Sequence, residues 1–178
     1  LMIVAIAGTG ERGYAGDDGL AVKAKLDNPF DVVVRPLSIC FSDTNNHCVR
    51  EIITSGYGNA GTIQTIAGSG KKGYSGDGGP ATAATFNEPY GIDFDSANNL
   101  YIVDRLNFCI RRVEAKTGII TTIAGTGKSG TSKDGIEATK ADLAEPNGLC
   151  LDGKGTLYIA DVKAQKVRTV DLKTGIIG

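Results

Sequence analysis

The 178-residue chain has no tryptophan, one histidine, one methionine and only four cysteines. A single histidine, His47, excludes the multi-histidine clusters that hold a catalytic transition metal. Four thiols without a Cys-x-x-Cys spacing exclude a zinc ribbon and a disulfide-dense scaffold. Lysine and arginine number 19 against 20 aspartates and glutamates, so the basic excess of a nucleic-acid binder is missing. No apolar run is long enough to cross a bilayer as a helix, and no signal-peptide pattern is present. Neither nucleic acid nor membrane insertion is therefore expected. No Asn-x-Ser/Thr acceptor occurs, which argues against N-linked sugar and leaves sugars on Ser or Thr open.

Glycine is what the chain has in quantity, with 25 residues placed at recurring positions. The stretch GTGKSG at 125–130 follows an apolar run, as a phosphate loop would. A Walker loop needs glycine where Thr122 stands. The looser G-x-G-x-x-G pattern occurs three times, at 8–13, 68–73 and 125–130, which marks a repeated building block. Ile-Ala-Gly ends at Gly8, Gly68 and Gly125, in steps of 60 and 57 residues. A proline follows each glycine 21 positions later, at Pro29, Pro89 and Pro146. A strand ending in aspartate comes next, at Asp43, Asp104 and Asp161, and an arginine seven positions on, at Arg50, Arg111 and Arg168.

Each copy reads as four short β-branched strands separated by Gly, Asn and Asp turns. Repeated four-stranded antiparallel units predict an all-β fold, a β-propeller of about three blades in a single domain over 1–178. The blades fall at about 29–68, 89–125 and 146–178, the last with an incomplete fourth strand. Residues 1–8 read as the fourth strand of a preceding or neighbouring blade. Between blades lies an insert with alanines at i and i+3 and a larger apolar residue two positions on: Leu26, Phe86 and Leu143. This predicts one or two helical turns pinned by that side chain, with Pro80 in a first turn.

The second copy, with Y-x-G-D-G-G-P-A-T, L-Y-I-x-D, N-x-C-I-R and T-G-x-I-T-T-I-A-G, resembles an NHL-repeat blade of the subgroup carrying that insert. The resemblance covers essentially the whole chain. Copy one departs from it at Asp31, Cys40 and Asp18-Gly19-Leu20, and copy three lacks the loop tyrosine and one glycine, so identical ligand sites in all copies are not expected. The resemblance implies a propeller, most often an interaction surface, and an extracellular or cell-surface setting.

Recurrence of the Asp–Arg pairs in every copy points to structural ion pairs, Asp43–Arg50, Asp104–Arg111 and Asp161–Arg168, and not to catalysis. Asp31 and Asp93, on the innermost strands, are expected to face the axial channel, either toward a small ligand or simply toward water. His47 is expected to be exposed in its turn. Cys40 and Cys48 flank a predicted hairpin turn, where a disulfide or two free, part-buried thiols would fit. No cofactor is expected, calcium at the GDDG and GDGG loops being the one metal the carboxylates offer.

Two readings of the chain ends stand. Either the segment is part of a longer polypeptide, such as half of a six-bladed ring, or its first strand completes a blade of another copy. The expected partners are other copies of the chain or remaining blades, and a protein or glycan. The sequence thus predicts a non-enzymatic scaffold for protein–protein interaction or self-assembly. The alternatives are a propeller hydrolase or lyase using the axial channel, and RNA binding on a basic face.

Overall fold

A computed structural model describes residues 2–54 and 61–178. The extra turn of the first copy, at 55–60, lies outside the described residues, as does Leu1. The fold is all-β, with three antiparallel sheets that follow the repeats. Blade 1 is β1 (Pro29–Arg35), β2 (Ser38–Asp43), β3 (Cys48–Ile53) and β4 (Thr62–Ala67), in that order across the sheet. Blade 2 is β5 (Pro89–Phe94), β6 (Leu100–Asp104), β7 (Cys109–Val113) and β8 (Ile120–Ala124). Blade 3 contains β10 (Pro146–Leu151), β11 (Thr156–Asp161), β12 (Lys166–Asp171) and a short β13 (Ile176–Ile177); β9 (Ile136–Glu137), from the preceding insert, is its fifth strand. Residues 2–7 are not paired in a sheet.

Alternation of side chains along the strands gives every blade two apolar faces. One face carries Ile39, Phe41, Ile52 and Ile63 in blade 1, at positions that become Leu100, Ile102, Val113 and Ile120 in blade 2, and Leu157, Ile159, Val170 and Ile177 in blade 3. The opposite face carries Cys40 and Val49, then Tyr101, Val103 and Ile110. The second face of each blade packs on the first face of the next, so the core lies in the two wedges between blades. Each fully buried Ile or Leu contributes about 2 kcal/mol.

The inserts make single 3-10 turns, at Ala21–Lys23, Ala81–Ala83 and Ala138–Lys140. The alanine pairs 21/24, 81/84 and 138/141 are buried in the way the i, i+3 pattern predicts, and Phe86 and Leu143 are fully buried. Pro80 caps its turn from outside, with extended backbone, and does not occupy the first helical position. Each insert lies along the outer edge of the blade that follows it: Ala21 N–H donates to Gly61 O at 2.8 Å and Ala81 N–H to Gly118 O at 2.9 Å. The second and third inserts also receive the preceding blade, since Gly68 N–H donates to Ala81 O and Gly125 N–H to Ala138 O, each at 2.9 Å.

Candidate functional site: arginine anchors and blade junctions

The buried arginines hold the positions most costly to fill, since a charge taken out of water must be paired. Arg50 and Arg111 stand on β3 and β7 with fully buried side chains. Arg50 Nη1 lies 3.3 Å from Asp43 Oδ2, and Arg111 Nη1 lies 3.3 Å from Asp104 Oδ2. The same carboxylates accept a second side chain, from Asn46 and Asn107 at 2.8 Å, and a backbone N–H, from Asp27 at 2.7 Å and Asn87 at 2.8 Å. Burial pushes the carboxyl of Asp43 up and that of Asp104 to about 6, against the lowering effect of these donors and of the guanidinium.

Each of the three arginines also reaches an aspartate on the insert. Arg50 Nη2 is 2.7 Å from Asp17, Arg111 Nη2 is 2.7 Å from Asp77, and Arg168 Nη2 is 2.9 Å from Asp134. Tyr14 and Tyr74 lie over the guanidinium groups of Arg50 and Arg111, with ring centroids at 5.4 and 5.0 Å. The anchor therefore ties an insert to its own blade. Reading the strands alone misses the insert aspartates. Their signal is an aspartate 33 or 34 residues before each arginine.

Blade 3 departs from the expected pairing. Asp161 accepts the N–H groups of Ala144 and Glu145 at 2.9 and 2.7 Å, while Arg168 turns to Asp134 and the Gly178 carbonyl. No ion pair joins Asp161 to Arg168. Ala164 stands where Asn46 and Asn107 stand in the other copies, so the amide that helps fix the carboxylate toward the arginine is missing.

Asp31 and Asp93 turn across the blade junctions. Asp31 Oδ2 accepts Ile92 N–H at 2.9 Å, and Asp93 Oδ2 accepts Leu151 N–H at 2.8 Å. Their second oxygens accept the N–H of the following residue, Val32 or Phe94. An inner strand has a free edge, and these carboxylates satisfy part of the next blade's row of donors. Phe30 and Tyr90 stack nearby with centroids 4.0 Å apart.

His47 is half-buried, not exposed as its turn suggested, because its ring is taken up by the next blade: Nδ1 accepts Glu88 N–H at 3.3 Å. Burial, then the charge of Lys72, lowers its pKa, which suits an accepting neutral ring. Cys40 and Cys48 are free thiols. Cys40 pairs in register with Glu51, and Cys48 with Asp43. Residues 40 and 43 are an odd number apart, so the two thiols lie on opposite faces of the sheet and cannot meet. Among the described residues no group of three or more His, Cys, Asp or Glu is placed to hold a metal ion. Asp17 and Asp77, in the loops considered for calcium, face Arg50 and Arg111. In the GTGKSG stretch, Gly125 has φ of 95° and its α-carbon sits against Phe108 and Cys109, so that the loop is a close-packed blade junction.

No family model matches the chain. It is 37% identical over 93 residues, 51% of its own length, to NHL repeat-containing protein 2 of Bos taurus. The same protein of Homo sapiens is 37% identical over 98 residues. The chain spans 13% of the length of each of these relatives. A solved structure of a Bacteroides thetaiotaomicron protein of unknown function superposes with a TM-score of 0.70 and 25% identity, over 84% of this chain and 37% of that one. The four-stranded blades and these likenesses together make the chain a β-propeller whose blades are similar to NHL repeats.

Proposed function

We propose that the chain is a non-enzymatic propeller scaffold that works by taking further blades of its own kind onto its two outer faces, in protein–protein interaction or self-assembly. The observation that carries this is a comparison of equivalent positions. Ile92, covered by blade 1, is 2% exposed, whereas Val32 at the same place in blade 1 is 60% exposed. Ile110, covered by blade 3, is 0% exposed, whereas Val167 at the same place in blade 3 is 71% exposed. The two outer faces are thus the two halves of a junction the chain already makes twice internally. Placed head to tail they would bury those side chains, and a two-fold arrangement would close a ring of six blades.

The engagement of Asp31 and Asp93 by backbone N–H groups supports a structural and not a catalytic channel. A protein or glycan as a further partner, and an extracellular or cell-surface setting, belong to the same proposal. The test is the native mass of the chain by light scattering. Association to twice the 18.5 kDa chain mass, reverting to 18.5 kDa in Val32→Asp, supports the proposal. A folded protein that stays at 18.5 kDa at every concentration, with or without that substitution, refutes self-assembly.

A further inference from the structure

At the hairpin end of the wedge between blades 1 and 2 one side chain bridges the two blades, beside a shallow cleft of about 430 Å³. Arg35 pairs with Glu51 at 3.3 Å, donates to Asn98 at 3.0 Å and lies 4.3 Å from the Phe94 ring centroid. At the same place between blades 2 and 3 the charges are exchanged: Asp95 stands for Arg35 and Arg112 for Glu51. The exchange does not rebuild the ion pair. Asp95 is spent inside its own turn, accepting Ala97 N–H, Asn99 N–H, Asn99 Nδ2 and the Tyr101 hydroxyl. Arg112 makes no ion pair among the described residues, and its Nε is shielded from solvent without a partner. An open cleft of about 580 Å³ remains, walled by Ile123, Leu151 and Leu172, with Arg112 in its lining and Lys173 at its turn.

We propose that this cleft is a binding site for a small organic carboxylate. A guanidinium presents a planar fork of donors matched to a carboxylate, and a half-buried one that no carboxylate of the described residues pairs is the group such a ligand would satisfy. The apolar walls would take the body of the ligand, and a volume of this size falls within the range of small-molecule sites. Asp95 also lines the cleft and is kept ionised by its own donors, and the two cations Arg112 and Lys173 outweigh its single negative charge. The site rests on the fold of blades 2 and 3 and not on how the outer faces are used.

The test is calorimetric titration of the full chain with benzoate, phenylacetate and glucuronate, and with benzamide and phenylacetamide as uncharged counterparts. The expected result is one-to-one binding of at least one carboxylate with Kd below about 1 mM, and at least about tenfold weaker binding of its amide. Arg112→Gln should weaken that carboxylate by about tenfold or more. Should that variant fail to fold, Thr139→Trp on the exposed rim of the cleft serves instead and should block binding by bulk. Absence of binding by every carboxylate up to about 10 mM, equal binding of acid and amide, or binding indifferent to the folded variants would overturn the proposal.

Discussion

The carboxylate of Asp93, on the innermost strand of blade 2, accepts the backbone N–H of Leu151 in blade 3 at 2.8 Å. Asp31 makes the same reach one blade earlier, to Ile92. Asp93→Ala would leave the Leu151 N–H to water or unpaired, at a cost of about 1–3 kcal/mol. Hydrogen exchange should show Leu151 losing protection first, while the amides of β7 hold. Equal protection of Leu151 in the variant and the parent would refute the clasp.

The arginine anchors should be unequal in strength. Arg111→Ala strands the buried carboxylate of Asp104, and a loss of about 3–5 kcal/mol is expected. Arg168→Ala leaves only Asp134, whose side chain is largely exposed, and should cost clearly less. Thermal unfolding of the two variants decides the order. Arg111→Ala melting with the parent would contradict a structural role.

The Asp104 carboxyl titrates at about 6 in the fold because burial favours its neutral form. A raised carboxyl binds its proton more tightly in the folded than in the unfolded state. Its contribution to stability is therefore whole below about pH 4 and is lost as pH rises through about 6. Asp104→Asn should flatten the parent's fall in stability across that window. Parallel curves for parent and variant, measured by denaturant titration from pH 4 to 7, would exclude this assignment.

Two glycines of the GTGKSG stretch should respond differently to alanine. A Cβ on Gly125 would meet Phe108 O at 2.2 Å and Cys109 Cα at 2.6 Å, so backbone must move. A Cβ on Gly127 would meet nothing within 4 Å, leaving only the strain of its positive φ, about 1 kcal/mol. Gly125→Ala should lower the melting temperature several times more than Gly127→Ala. Similar values would refute the packed-junction account.

Strand pattern and repeat length made the blades legible in the sequence, because short runs rich in apolar and β-branched residues such as Leu100–Asp104 and Cys109–Val113, bounded by turn residues and repeated, have few other uses. The Asp–Arg offset was legible for the same reason. The pairing in blade 3 was not, since it hinges on Ala164 in place of an asparagine, a residue outside the repeated pair. The directions of Asp31, Asp93 and His47 were also hidden. Each is decided by a backbone N–H on the next blade, about 40 to 60 residues away in the chain, and local spacing carries no sign of it. The choice between a disulfide and free thiols at Cys40 and Cys48 stayed open because sequence distance does not tell which face of the sheet a residue takes; the register does.

The backbone hydrogen bonds that Gly68 and Gly125 donate into the inserts of the following repeats give the chain a property its sequence periodicity conceals. The repeating unit of sequence and the repeating unit of melting are out of step. The second and third inserts are each held at once by the blade before and the blade after, so no blade can come loose without releasing a neighbour. A break anywhere along the arc would travel, and the three blades should unfold as one transition.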